Sequence, residues 1–177
     1  MMIRSTPRAY GEVRVFLHWS IAATVLVALV SGFAADNIGM AGRDALRLHV
    51  LAGLLAAVLT LARIAWWVAE PKQVPGAGGA ERKGVLARAV HLLLVLVPLG
   101  MTVSGLSLIL RSGAAPQLLT DAPGMLPPFE MLRPRRPHGF GARLILALVT
   151  VHAGAALYHH FVRRDGLMQK MWFTGRP

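Results

Sequence analysis

Four apolar stretches, at residues 13–35, 46–68, 86–110 and 140–162, limit the folds open to this chain of 177 residues. Each is long enough to cross a bilayer core of about 30 Å, which takes roughly 20 helical residues. Backbone groups in lipid must be paired within the segment, so each stretch reads as a helix and together they predict an all-α, four-helix membrane bundle. Breakers separate them: "DNIGMAGRD", then "EPKQVPGAGGAERK", then the longer, Pro-rich "RSGAAPQLLTDAPGMLPPFEMLRPRRP". No internal repeat or composition break divides the chain, so residues 1–177 read as one membrane domain. The N-terminal "MMIRSTPRAYGEVR" is basic like a signal peptide. The apolar run behind it is longer than a typical signal core and lacks a clear cleavage site, so the first span is read as retained.

The formal charge of +11 raises the question of nucleic acid, which demands clustered Lys and Arg. Here the basic residues lie between apolar spans and serve topology instead, so no nucleic-acid partner is expected. An even number of spans puts both termini on one side. Twelve of the nineteen Lys and Arg fall on that side or in the second loop, and seven fall opposite. The positive-inside bias therefore places both termini in the cytoplasm. The opposite side carries an outward basic cluster, Arg133, Arg135 and Arg136.

Seven histidines accompany these spans, and the chain has no cysteine. That absence excludes disulfides, thiolate-ligated zinc, iron–sulfur clusters and covalently tethered haem, leaving His, Met or carboxylates to hold any metal. His138 and His152 are fourteen residues apart, hence on nearly one face and about 21 Å apart along a helix. Orientation sorts the others by depth. The outer level holds His49 with His138; the inner level holds His18, His91, His152, His159 and His160, where spacing leaves the pairing open. Zinc wants three or four gathered ligands, whereas haem iron needs two axial imidazoles from different helices and a large apolar cavity. Gly53, one turn after His49, is a candidate for close approach of a porphyrin, as are glycines in the other spans.

The stretches "FLHWSIA", "RLHVLAGLL", "RAVHLLLVLVPLGMTVSG" and "VHAGAALYHHFVRRDGLMQKM" resemble the bacterial cytochrome b561 family, small four-helix membrane cytochromes related to the cytochrome b subunits of nickel hydrogenases. The resemblance runs through nearly the whole chain. It implies two b haems with iron ligands His18, His49, His138 and His152, paired as His18 with His152 and His49 with His138. His159, seven residues beyond His152 on its face, is a rival ligand. Before the fourth span the chain reads "RPRRPHGFG" where the family often has an acidic segment, and Gly139 and Gly141 are expected to loosen the start of that helix.

The resemblance also implies electron transfer across a bacterial inner (plasma) membrane, and superoxide oxidase activity: superoxide outside gives electrons that reach ubiquinone. Arg133, Arg135 and Arg136 are then placed to steer a small anion towards the outer haem. Alternatively they bind lipid headgroups. His91 and His159 are candidates for the haem environment or for a quinone carbonyl. A second functional reading is a haem b subunit linking the quinone pool to a partner dehydrogenase or cytochrome, with the loop over residues 111–137 as its docking surface. A third, a non-redox protein using histidines for packing, conflicts with the cost of so many ionisable rings in lipid.

Overall fold

The computed structural model describes residues 5, 10–37, 42–70, 84–120 and 122–172. Of the charges used above for orientation, Arg4, Arg8, Lys72, Arg82, Lys83 and Arg176 lie outside them. The elements run α1 (Glu12–Asn37), α2 (Gly42–Ala69), α3 (Val85–Ser112), the short α4 (Ala115–Leu119) and α5 (Arg135–Tyr158). A π turn over His159–Arg163 extends α5, and 3-10 turns occupy Phe129–Met131 and Gln169–Met171. Four of these helices are long and apolar enough to cross a membrane. They outrun the apolar stretches by up to five residues because helical hydrogen bonding continues past the last apolar side chain into polar flanks such as Arg43 and Arg135.

The bundle is two hairpins. α1 packs along α2 and α3 along α5, while the α2–α3 contact between the pairs is thin. Small residues explain the first hairpin: Ala52, Ala56 and Thr60, each four apart on α2, are buried with Leu17, Leu29 and Ser31 of α1. Such a stripe lets helix backbones approach in lipid, where there is no hydrophobic drive between helices. The hydroxyls of Ser31 and Thr60 donate to carbonyls one turn back, at 2.6 and 2.7 Å, so burying them leaves no unpaired donor. In the second hairpin Gly141 lies against Met101, whose Cγ would stand 2.8 Å from a Cβ at that position. This corrects the expectation of a loosened α5. The helix begins at Arg135, before His138, and Gly141 is there to admit α3.

α3 ends at Gly113 in the left-handed region (φ 70°), a conformation glycine adopts without penalty. The following loop folds back on the bundle. Ala114 and Leu118 are buried, α4 touches α2, the Phe129–Met131 turn touches α5, and Arg43 donates to the Gly124 carbonyl. Arg135 binds both carboxylate oxygens of Asp36, at 2.8 and 2.7 Å, joining the ends of α1 and α5.

At the opposite end the chain's two terminal segments meet the bundle. Trp19 Nε1 donates to the Met171 carbonyl at 2.8 Å, and Trp19 and Trp172 stack edge to face at 5.5 Å. Ser5 N–H donates to Glu70 Oε1 at 2.6 Å, Arg14 pairs with Glu70 Oε2, and Gly11 N–H donates to Ser5 Oγ at 3.0 Å. Burial of Glu70 opposes ionisation, but the hydrogen bonds from Ser5 and Arg14 outweigh it and hold the carboxyl below its usual range. A depressed folded-state pKa contributes stability above the unfolded value that is lost as pH falls through the folded one. Acidification below the ordinary carboxylate range is therefore expected to release the segment before α1. Glu70→Gln should do so at neutral pH, at a cost of about 1.5–3 kcal/mol. Faster amide exchange at Ser5 and Gly11 would register both effects; unchanged exchange would show that the contact does not anchor the segment.

Candidate functional site

Fourteen residues separate His138 from His152 on α5, and the same interval recurs on every long helix: His18 and Gly32 on α1, His49 and Arg63 on α2, His91 and Gly105 on α3. Each helix thus offers one position to each of two layers about 21 Å apart, on nearly the same face. The layer nearer the α3–α5 loop, termed outer, comprises Gly32, His49, Gly105 and His138, and the layer nearer Glu70 and Trp172, termed inner, comprises His18, Arg63, His91 and His152.

In the outer layer the rings of His49 and His138 face each other across the gap between hairpins, with centroids 5.7 Å apart. The two glycines seat them. A Cβ on Gly32 would come within 2.7 Å of His49 Nδ1, and one on Gly105 within 3.1 Å of His138 Cε1. His49 Nδ1 lies 2.7 Å from the Ala28 carbonyl, which only accepts, so Nδ1 carries the proton and donates. His138 Nδ1 lies 2.9 Å from Ser104 Oγ. That hydroxyl gives its hydrogen to the Met101 carbonyl, so it accepts from His138. Both rings therefore keep the Nε2 lone pair for a metal, the arrangement by which a ligating histidine is oriented through its other nitrogen.

In the inner layer His18 and His152 have centroids 6.1 Å apart, and His91 stands 5.1 Å from His152. His91 Nδ1 donates to the Ala87 carbonyl of its own helix at 2.6 Å, and its ring is exposed. Arg63 Nη1 lies 3.4 Å from His18 Nδ1. Metal–imidazole bonds of about 2 Å put two axial imidazoles roughly 6 Å apart, centroid to centroid. The His49–His138 and His18–His152 separations both match that span. Among the described residues no group of three or more His, Cys, Asp or Glu is gathered to hold a bare metal ion. Opposed imidazoles in twos suit a metal that needs two axial ligands only, as haem iron does.

Three other groups of sequence candidates lie around these layers. A Cβ on Gly53 would meet no protein atom within 4 Å, so the space beside it is open, as close approach of a porphyrin requires, whereas Gly32 and Gly105 lie against the rings of His49 and His138. His159 is turned to the helix end, with Nδ1 2.5 Å from Asp165 Oδ2. That hydrogen bond, together with the amide of Leu167, holds the Asp165 carboxyl below its ordinary range despite slight desolvation. Of the outward arginines, Arg135 is tied to Asp36, while Arg133 and Arg136 line a cavity of about 350 Å³ with Glu130, Met131 and Leu132. Gly32 and Gly105 are among the span glycines that the sequence offered for close approach, whereas Arg63 and Ser104 were missed; the fourteen-residue interval marks Arg63 along with the two glycines.

Membrane-spanning helices with opposed imidazoles between them define a membrane haem protein, and comparison with known sequences agrees. The family profile described as Prokaryotic cytochrome b561 matches residues 9–174, and the chain belongs to that family of haem b electron-transfer proteins. It is 30% identical over 172 residues to Cytochrome b562 of Cereibacter sphaeroides, covering 92% of this chain and 94% of that protein. It is 25% identical over 183 residues to Cytochrome b561 homolog 2 of Escherichia coli, covering 97% and 95%. Cytochrome b561 homolog 1 of Escherichia coli is also 25% identical, over 173 residues.

Proposed function

We propose that the chain binds two b haems, one between His49 and His138 and one between His18 and His152, and works as a superoxide oxidase of the bacterial inner membrane. The observation that carries the two-haem reading is the pair of imidazole couples, each near 6 Å and one per layer. Held there by His18, His49, His138 and His152, the haems would supply one-electron redox chemistry. Both termini face the cytoplasm and the α3–α5 loop faces outward. Two superoxide ions arriving there release two dioxygen molecules and two electrons. One ubiquinone takes those electrons and two protons to become ubiquinol.

The chain's own residues divide this work. Ala28 and Ser104 fix the outer imidazole tautomers. Arg133 and Arg136, lining the outer cavity, draw the anion in, whereas Arg135 mainly braces α1 against α5 through Asp36. At the inner end the hydrogen-bonded His159–Asp165 pair is placed to hand protons to a quinone.

Reduction of the purified haem protein by an enzymatic superoxide source, then reoxidation by a ubiquinone analogue, tests the proposal. Replacing Arg133 and Arg136 with Gln should slow reduction by superoxide and flatten its salt dependence, since charges beyond about 10 Å are largely screened at 0.1 M salt. A neutral reductant should be unaffected. A haem that superoxide does not reduce would remove the oxidase reading. The alternative, an electron-transfer subunit serving a redox partner, would then stand, supported by the outward Met125 and Met131, which are 93% and 85% exposed.

A further inference from the structure

The inner layer holds a cation, Arg63, that no carboxylate among the described residues pairs with. Arg63 sits inside α2, part-buried, on the face that carries His49 one layer further out. Its hydrogen bond is a long one, 3.4 Å to His18 Nδ1. The nearby acid, Glu70, is taken by Arg14 and Ser5, and Arg14 repels Arg63. Among the described residues no carboxylate forms an ion pair with Arg63. An arginine at this depth is expected to meet an anion or a polar cavity.

Metal binding sharpens the mismatch. A guanidinium only donates, so in the contact with Arg63 the Nδ1 of His18 accepts. Once Nε2 of a neutral imidazole ligates iron, Nδ1 carries the proton and can no longer accept. Arg63 then loses its His18 acceptor. Its planar fork of donors is shaped for a carboxylate.

On the two-haem reading, we propose that Arg63 binds a propionate carboxylate of the inner haem and, by neutralising it beside the ring, holds that haem's potential up. Haem b carries such carboxylates wherever it binds, and net charge and hydrogen bonding around the cofactor are the levers by which a protein sets its potential. The phosphate of an anionic lipid is the other oxyanion that could reach the inner end of α2, and the experiment separates the two.

The test is a potentiometric titration of the holoprotein and its Arg63→Gln and Arg63→Lys variants, in neutral detergent and in bilayers containing anionic lipid. In Arg63→Gln one of two transitions should fall by about a tenfold change in the one-electron equilibrium, roughly 59 mV. The other transition, about 21 Å away, should stay. Arg63→Lys should fall less, and the shifts should be alike in both media. No shift, or a shift confined to anionic lipid, overturns the assignment. If Arg63→Gln does not retain the inner haem, Arg63→Lys decides: an altered propionate bending band in its resonance Raman spectrum supports the pairing, and an unaltered band overturns it. A parent protein holding a single haem per chain would instead defeat the two-haem reading, whatever Arg63 does.

Discussion

Replacing His152 with Ala is expected to halve the haem content, from two per chain to one, and to leave the outer haem's spectrum unchanged. His152 has no substitute on α5 at its depth. His159, the nearest histidine on that face, is bound to Asp165 at the helix end. The variant also decides between the two rings facing His152. His18 stands at 6.1 Å and His91 at 5.1 Å, and roughly 6 Å is the span of two axial imidazoles. His18→Ala should therefore match His152→Ala, and His91→Ala should keep both haems with a modest shift of the inner one. Pyridine haemochrome assay against protein concentration gives the ratio directly. A His91→Ala chain with one haem, beside a His18→Ala chain with two, would exchange their roles.

Gly32→Ala should strip the outer haem selectively. The added methyl would come within 2.7 Å of His49 Nδ1 and 2.9 Å of its Cε1, closer than any packed contact allows. The ring is already fixed by its bond to the Ala28 carbonyl, so it must swing away from His138 to make room. Overpacking of this kind costs about 1–3 kcal/mol, between a few-fold and a hundred-fold in outer-haem affinity. Gly84→Ala, ahead of α3 and outside both layers, where the new Cβ meets nothing within 4 Å, is the control and should retain both haems. Haem titration into the apo forms measures the difference. Equal affinities in the two variants would mean that His49 does not depend on the Gly32 seat.

Span number and rough position were legible because the length of an apolar run is set by the thickness of a bilayer, a physical constant outside the chain. Helix ends were not, since the α5 hydrogen-bond ladder continues through "RRPHG", which hydropathy scores as loop. The histidine layers were half legible. Spacing on α5 gives two depths, and the same fourteen-residue interval on the other three helices marks Arg63 and singles out Gly32 and Gly105 from the other span glycines. Contacts between residues remote in sequence left no local trace. Asp36 with Arg135, Ser104 with His138 and Glu70 with Ser5 are products of how the hairpins come together, and no pattern within one helix announces them.

The thin seam between the hairpins bears on how such a chain matures. Each hairpin buries its own helix contacts, and what commits one to the other is modest: α2 against α3, α4 against α2, and the Arg135–Asp36 and Arg43–Gly124 links. On the two-haem proposal, haem held by imidazoles from both hairpins would add to this adhesion, so that cofactor loading and closure of the bundle would be thermodynamically linked. In a cell short of haem, newly inserted chains would linger as loosely associated hairpins, with ionisable rings open to lipid and helix flanks open to membrane proteases. The amount of mature cytochrome would then follow haem supply without any dedicated regulator.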